Sequence, residues 1–282
     1  MYIISNKKQL NQTVTLMEIE APLVARKAKA GQFIILRVND DSERIPLTIA
    51  GVNGNNVTII FQIVGSSTML LNAKNVGDTI CDFVGPLGKP TEIENLSNVC
   101  VIGGGVGCAI ALPIARALHS QGSKVTSIIG FRNKDLLILE DEFKEVSDEL
   151  IVMSDDGSYG KQGNVTMPLN EMLENGKTFD KVITIGPLIM MKFVVETCKK
   201  FNMSCDVSMN PIMIDGTGMC GGCRLTLNVD GQKVTKFACV DGPDFNGYEV
   251  DFDEAMMRNR MYAEFEDKKR EETCNLLKME AK

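Results

Sequence analysis

The sequence contains no tryptophan, one histidine and only four tyrosines in 282 residues. A single histidine cannot supply a His-rich metal site or a pair of imidazole acid–base catalysts, so both kinds of chemistry are excluded. The uncharged apolar stretch at residues 99–115 contains four glycines and a proline, and it is too short to cross a membrane. We therefore expect a soluble protein that does not enter a membrane.

The chain also lacks a basic cluster. Its net charge is −7, with 30 Lys and Arg against 37 Asp and Glu, so nucleic acid is not an expected partner. The first residues contain no apolar signal segment, and the nine cysteines are an odd number. A secreted disulfide framework is therefore not expected, and the pattern indicates reduced thiols in the cytoplasm.

What is present divides the chain into four segments. Residues 1–95 alternate short β-rich runs with turn residues, which is typical of a small antiparallel barrel, and no helix of normal length fits there. Residues 96–204 alternate strands with helices, which predicts a doubly wound parallel sheet. Residues 205–250 form a glycine-rich segment with a hairpin, and residues 251–282 form a charged helical segment, either solvated or facing a partner. Strands are predicted at 13–19, 32–38, 56–64, 78–84, 99–102, 125–130, 149–153 and 181–185, and helices at 108–121, 141–147, 169–175 and 188–202.

Three cysteines belong to one short loop and the hairpin that follows it. Cys220 and Cys223 are separated by two residues, and Cys239 follows after fifteen more. Between them lie two β-rich runs joined by Asp230-Gly231, a strong signal for a two-residue hairpin turn. If Val229 pairs with Gln232, the register places Cys239 opposite Gly222. The hairpin therefore returns the third thiol to the first two.

Three thiolates and one further anion can make a four-coordinate metal site. Cys-x4-Cys-x2-Cys with a distant fourth cysteine is the plant-type [2Fe–2S] spacing, and here Asp215 stands at the first position. The pattern favours a [2Fe–2S] cluster held by Asp215, Cys220, Cys223 and Cys239. A structural zinc site and a set of free buried thiols remain as alternatives. The other six cysteines are expected mostly to fill apolar positions: Cys81, Cys100, Cys108, Cys198, Cys205 and Cys274.

Two glycine loops in the predicted sheet are placed to bind a dinucleotide. Residues 103–107 follow a strand and open a helix, where backbone N–H groups can hold a diphosphate, although the full dinucleotide fingerprint is absent. Gly186-Pro187 ends another strand and would border the same crevice. Arg132, and not an acid, follows the second strand of this segment, which by the general rule favours NADP over NAD.

Small donors and one cation in the barrel segment suit a second pyrophosphate. Arg44 and Thr48 lie two residues either side of Pro46, and Gly65 opens a run of hydroxyl side chains before an apolar stretch. Each of these motifs alone is also compatible with an ordinary turn.

The order of these motifs resembles the ferredoxin:NADP reductase superfamily. Within it, the chain is similar to the electron-transfer subunit of dihydroorotate dehydrogenase. Residues 210–253, with Asp215 in place of a cysteine, are similar to the small subunit of NADH-dependent reduced ferredoxin:NADP oxidoreductase. That subunit is also described as the sulfide dehydrogenase β subunit. The resemblance implies FAD on the barrel with Thr48 near the flavin edge, NAD(H) on the sheet and a [2Fe–2S] loop. The motifs and the resemblance together give the candidate cofactor-binding residues: Arg44, Pro46, Leu47, Thr48, Gly65, Ser66, Ser67, Thr68, Gly85, Gly88, Gly104, Gly105, Val106, Gly107, Arg132, Gly186 and Pro187.

The same resemblance implies the reaction and the partner. Electrons would pass between NAD(H), FAD and the cluster, with no protein side chain as catalyst, and then to a larger iron–sulfur flavoprotein subunit that handles NADP(H) and ferredoxin in flavin-based electron bifurcation. One alternative is the electron-transfer subunit of dihydroorotate dehydrogenase. Another, of a different class, is a zinc-stapled, non-catalytic nucleotide-binding module.

Overall fold

The computed structural model describes residues 1–280, so the last two residues of the predicted C-terminal segment lie outside the described part. Its first sheet is antiparallel, with strand order β6-β1-β2-β5-β4-β3-β7. The two edge strands, β6 and β7, are separated along the chain only by Cys81, so the sheet curls into a nearly closed barrel. The elements are β1 (Tyr2–Gln9), β2 (Val14–Glu20), α1 (Pro22–Ala25), β3 (Phe33–Arg37), β4 (Arg44–Asn53), β5 (Asn56–Gln62), α2 (Ser66–Ala73), β6 (Thr79–Ile80) and β7 (Asp82–Leu87).

Three features of the barrel differ from the sequence-based prediction. The run predicted as one strand at 78–84 is interrupted at Cys81, and β1 and β4 were not predicted. The expectation of no helix of normal length misses α2, which spans eight residues. Thr68 fixes the start of this helix, because its Oγ1 accepts hydrogen bonds from the amides of Val64 and Gly65, each at 3.0 Å.

The second sheet has the order β11-β10-β9-β8-β12-β13-β16 and is parallel except for β16. Alternate residues of its strands face opposite layers: Val99 and Val101 pack under α3 and α4, while Cys100 and Ile102 pack with α5 and α6. The doubly wound sheet is therefore confirmed. Its elements are β8 (Asn98–Gly104), α3 (Cys108–Ser120), β9 (Lys124–Phe131), α4 (Glu140–Val146), β10 (Glu149–Ser154), β11 (Lys161–Gln162), α5 (Thr166–Glu174), β12 (Lys181–Ile185), α6 (Leu188–Lys200), β13 (Cys205–Ser208) and β16 (Asp244–Asn246).

The cysteine segment adds a separate hairpin of β14 (Arg224–Val229) and β15 (Gln232–Phe237), followed by one turn of helix, α7 (Ala238–Asp241). Val229 pairs with Gln232 and Arg224 with Phe237, which confirms the predicted register. Asp230 and Gly231 both have positive φ, as a type I′ turn requires. The predicted pairing of Cys239 with Gly222 is wrong, because the chain leaves the ladder at Ala238 to form α7.

The C-terminal segment is two helices, α8 (Phe252–Asn259) and α9 (Ala263–Glu280), and not one continuous run. Helix α8 packs through Phe252 and Ala255 into the core shared by the second sheet and the hairpin, whereas most of α9 is exposed. No helix among the described residues is both long and apolar enough to cross a membrane. The predicted division at residues 95, 204 and 250 stays a prediction.

Candidate functional site

The two glycine loops of the parallel sheet lie side by side. After β8 the chain adds β9 and β10 on one side of the sheet, and after β12 it adds β13 on the other side. The carboxyl ends of the neighbouring strands β8 and β12 therefore form the switch point of the sheet. A Cβ atom on Gly186 would lie 3.2 Å from Cα of Gly104, and one on Gly107 would collide with the carbonyl oxygen of Ile185. Only glycine at these positions lets the two loops pack backbone against backbone.

A cavity of about 610 Å³ opens in front of these loops. Its volume is in the range of small-molecule and cofactor sites. The barrel contributes Asn11, Thr13 and Gln62 to its wall, which no local sequence pattern indicated. The structure brings together at this cavity all seven residues predicted to bind a dinucleotide on the sheet: Gly104, Gly105, Val106, Gly107, Arg132, Gly186 and Pro187.

Two charged side chains of opposite sign line the same cavity, Arg132 after β9 and Asp155 after β10. The adjacent Asp156 has a different task. Its Oδ1 accepts a hydrogen bond from the Ser158 amide at 2.9 Å, and hydrogen bonds from Ser158 hold the pKa of this carboxyl below its ordinary value. Asp156 therefore closes a turn, and Asp155 is the acid that faces the cavity.

The barrel site is built on a strand that is paired on one side only. Arg44 to Thr48 of β4 pair with β3, whereas β5 pairs with the later part of β4, from Ile49 onward. Leu47 and Thr48 are half-buried, so this part of the strand is left uncovered. Pro46, which has no N–H group, is tolerated here because the second side of the strand carries no ladder. The predicted flavin segment is thus an open strand edge in the middle of the barrel.

Arg44 is held at this edge by an acid. Its Nη2 lies 3.2 Å from Oδ2 of Asp82, and Nε of Arg37 donates to the same oxygen at 2.8 Å. These hydrogen bonds, with that from Arg44 the larger cause, hold the pKa of Asp82 below its ordinary value. Oδ1 of Asp40 also lies 3.4 Å from Nη2 of Arg37, so two carboxylates balance the two guanidinium groups, and Arg44 offers hydrogen-bond donors to an anionic ligand.

Gly85 and Gly88 have packing reasons for lacking a side chain. A Cβ atom on Gly85 would lie 2.7 Å from Cγ2 of Ile34, and one on Gly88 would lie 2.7 Å from Cε1 of Phe33. Both glycines let β7 approach β3 closely. Their predicted part in cofactor binding stays a prediction.

The hairpin brings two thiols of the cysteine loop together. The Sγ atoms of Cys223 and Cys239 lie 3.2 Å apart and are buried, while Cys220 is exposed. Burial, followed by the hydrogen bond with Cys223, raises the pKa of the Cys239 thiol to about 12. Of the six other cysteines, Cys81 and Cys274 are only half-buried and the remaining four are buried as predicted.

The donors of this loop suit an iron–sulfur cluster. Thiolates are soft ligands, and amide N–H groups directed at sulfur are typical of such sites. Here the amide of Gly222 donates to Sγ of Cys220 at 3.4 Å. Within residues 1–280, no group of three His, Cys, Asp or Glu side chains is already arranged to hold a metal ion.

Asp215 closes the start of the loop. Its Oδ1 accepts from the Thr217 amide at 2.7 Å and its Oδ2 from the Cys220 amide at 2.9 Å. These hydrogen bonds lower the pKa of the Asp215 carboxyl from its ordinary value, and the bond from the Thr217 amide is the largest cause. Asp215 therefore already orders the loop, and its predicted ligation of iron stays a prediction.

The fold and these three groups of residues define a class. A barrel with an open strand edge, a doubly wound sheet with a dinucleotide cavity, and a cysteine loop at their junction make a ferredoxin reductase-like electron-transfer protein.

Comparison with known proteins identifies the family. A family model described as the iron–sulfur cluster binding domain of dihydroorotate dehydrogenase B matches residues 210–251. The dihydroorotate dehydrogenase B electron transfer subunit homolog of Thermotoga maritima is 49% identical over 250 residues, covering 88% of this chain and 86% of that protein. The electron transfer subunit from Streptococcus pneumoniae is 34% identical over 224 residues, with 77% and 85% covered. The chain belongs to the family of these electron transfer subunits and their homologues.

A solved structure is similar over almost the whole chain. It is a chain from the structure of the NADH-dependent reduced ferredoxin-NADP oxidoreductase, described in connection with flavin-based electron bifurcation. The identity is 45%, the TM-score is 0.89, and 96% of this chain and 97% of that chain are covered. The fold predicted from the sequence is thereby confirmed, and the chain is an oxidoreductase subunit that transfers electrons.

Proposed function

We propose that the chain transfers electrons between NAD(H), FAD and a [2Fe–2S] cluster and passes them to a larger iron–sulfur flavoprotein subunit in the cytoplasm. The complex would be an electron-bifurcating, transhydrogenase-like oxidoreductase that couples NAD(H) to NADP(H) and ferredoxin. The similarity to the bifurcating oxidoreductase at 45% identity over nearly full length supports this choice of complex.

The observation that carries the proposal is the one-sided pairing of β4. On the side away from β3, the backbone of Arg44 to Thr48 has no neighbouring strand, although β4 lies in the middle of the barrel sheet. A barrel that binds no ligand would be expected to cover this edge with another strand. An isoalloxazine ring along this edge would cover it, with Thr48 at its rim. The pyrophosphate would be held by Arg44 and by the first turn of α2, at Gly65, Ser66, Ser67 and Thr68.

The cavity at the switch point would bind the nicotinamide dinucleotide. Gly104 to Gly107 offer amides to its pyrophosphate at the start of α3, and Gly186-Pro187 would lie beside the nicotinamide. Asp155 would repel a 2′-phosphate, which supports NAD(H) over NADP(H), while Arg132 favours the opposite. Asp155 and the family resemblance together lead us to propose NAD(H).

The cysteine loop lies against β3 and β7 of the barrel, and β3 is the strand that pairs with the proposed flavin strand. A Cβ atom on Gly216 would lie 2.6 Å from Cδ1 of Leu87 and 2.9 Å from Cδ1 of Ile35, and Ile35 pairs with Pro46. Asp215, Cys220, Cys223 and Cys239 would hold the cluster. Bound FAD would accept a hydride from NADH and release electrons singly, which is the cofactor's own chemistry. In this proposal the flavin strand, the dinucleotide cavity and the cysteine loop would hold the three groups side by side, and the contact of Gly216 with Ile35 and Leu87 supports it.

Anaerobic purification tests the proposal. We expect FAD, about two irons per chain and no zinc, with visible absorbance that NADH bleaches. A colourless protein with one zinc ion would identify the zinc-stapled module instead. An electron-transfer subunit of dihydroorotate dehydrogenase would also be coloured, and the names of the relatives favour that second candidate. Assays with the native partner separate the two, because only the proposed complex couples NAD(H) to NADP(H) and ferredoxin.

A further inference from the structure

The C-terminal helix α9 touches the rest of the molecule through little more than one turn. Of its described side chains only Thr273 is buried, and Cys274 and Leu277 are half-buried. The element under this turn is α2. An 18-residue helix therefore rests on the short helix that begins the proposed pyrophosphate segment.

A hydrogen bond links the two helices at the first residue of α2. Oγ of Ser66 lies 2.7 Å from Oγ1 of Thr273. Because the single hydroxyl proton of Thr273 is donated to the carbonyl oxygen of Lys269 at 3.0 Å, Ser66 is the donor. The side chain of Ser66 is thus turned toward α9 and fixed there, and it does not compete for its own backbone groups.

Helix α2 needs such support to bind an anion. A helix of eight residues is marginal by itself, and its first amides can point together at an anion only while the first turn is formed. The amides in question belong to Ser66, Ser67 and Thr68. Packing of the Thr273 turn on α2 keeps this first turn formed in advance of binding.

We propose that α9 is a strap that holds the first turn of α2 in its anion-binding form, and so sets how long the FAD pyrophosphate is retained. The inference rests on the proposed FAD site. By thermodynamic reciprocity, FAD must also strengthen the docking of α9 by the same factor that α9 strengthens FAD binding.

Release of FAD from the holoprotein provides the test. After dilution, the fluorescence of free flavin reports the rate of release from the full chain, from a chain ending at Arg260, and from Thr273→Val. We expect release to be about tenfold faster without α9 and several-fold faster in Thr273→Val, with Thr273→Ser restoring the original rate. Leu276→Ala, an exposed position on the same helix, is the matched control and should not change the rate. The visible circular dichroism of the cluster should stay the same in all variants.

Amide hydrogen exchange gives a second readout that needs no catalysis. Residues 263–280 should exchange more slowly with FAD bound than without it, and Ser66 to Thr68 should exchange faster in Thr273→Val. Equal rates of FAD release from the truncated and full chains would overturn the proposal that α9 acts as a strap. Amide exchange rates in α9 that are the same with and without FAD would do so as well. A full chain that binds no flavin would instead overturn the proposed function, and the strap with it.

Discussion

Gly216 of the cysteine loop lies against Ile35 of the barrel so closely that an added methyl group would be 2.9 Å from its Cδ1. Ile35 belongs to the core cluster that also contains Cys223 and Cys239, and it pairs with Pro46 on the strand proposed to carry the flavin. The cysteine loop therefore touches the strand whose backbone pairs with the proposed flavin strand. In the proposed electron transfer, this contact would set the distance between the flavin and the cluster.

Substitution of Gly216 should slow electron transfer without affecting hydride transfer. Gly216→Ala forces a Cβ into Leu87 and Ile35 at a residue with φ of 77°, so the loop must move away from the barrel. In stopped-flow measurements we expect NADH to reduce the flavin at the original rate, and the cluster to be reduced about tenfold more slowly or worse. Gly231→Ala is the matched control, because Gly231 has φ of 78° but nothing within 4 Å of an added Cβ. Equal cluster reduction in both variants would contradict the prediction.

The choice of dinucleotide should depend on Asp155. A carboxylate in the cavity repels the 2′-phosphate of NADPH by an energy on the order of 1 kcal/mol in a solvated site. Asp155→Asn should therefore raise kcat/KM for NADPH about five- to tenfold and leave that for NADH nearly unchanged. Asp156→Asn removes the neighbouring charge from a carboxyl that closes a turn, so it serves as the control. If both variants raise NADPH use equally, the effect is general electrostatics and not a contact in the cavity.

The sequence predicted the hairpin better than it predicted the flavin strand, for a physical reason. The turn Asp230-Gly231 fixes the pairing of its neighbours locally, so the register to Phe237 follows from two residues. The exposed edge at Arg44 to Thr48 arises where β5 stops pairing with β4, near the irregularity between Ile49 and Gly51. That is a property of two strands and leaves no local pattern.

The seven predicted residues that line the dinucleotide cavity could be predicted because loops that follow neighbouring strands of a parallel sheet meet at one edge. The contributions of Asn11, Thr13 and Gln62 could not, because they depend on how the barrel is set against the sheet. Helix α2 was missed for a similar reason. It is capped by Thr68 and packs against α9, which no local pattern reveals, and an eight-residue run shows too little periodicity to indicate a helix.

The carboxyl of Asp244, whose Oδ1 atom is buried although the residue as a whole is half-buried, should make stability depend on pH. Asp244 accepts a hydrogen bond from Thr91 at 2.6 Å through Oδ2, while its Oδ1 has no partner among the described residues. Burial raises the pKa of this carboxyl in the folded protein above its ordinary value. A raised folded pKa gives stability that is present below the unfolded pKa and is lost as the pH rises through the folded pKa.

Asp244→Asn should remove this loss, because the amide stays neutral and can still accept from Thr91. We expect the variant to melt at a higher temperature than the original protein at about pH 8.5, with the difference shrinking toward about pH 4.5. Thermal unfolding followed by circular dichroism measures both. Asp241→Asn, whose carboxylate is half-exposed, should not reproduce the trend. A difference that is constant with pH would mean that Asp244 is ionised in the folded protein.

The last prediction concerns the four proposed cluster ligands, which are three cysteines and an aspartate at the position where a fourth cysteine is expected. Cys220→Ser, Cys223→Ser and Cys239→Ser should each lose most of the iron, because thiolate ligands are removed, whereas Cys108→Ser, at a buried position outside the loop, should retain it.

Substitutions of Asp215 distinguish two roles of its carboxylate, ligation of iron and ordering of the loop. Asp215→Asn keeps one oxygen for the Thr217 amide but removes the negative ligand, and Asp215→Ala removes both. If Asp215 ligates iron, both variants change the electron paramagnetic resonance signal of the reduced cluster and its potential, and Asp215→Cys restores an all-thiolate signal. A signal that survives in Asp215→Asn and is lost only in Asp215→Ala would instead show that the carboxylate orders the loop through its two amide bonds and that the fourth ligand lies elsewhere.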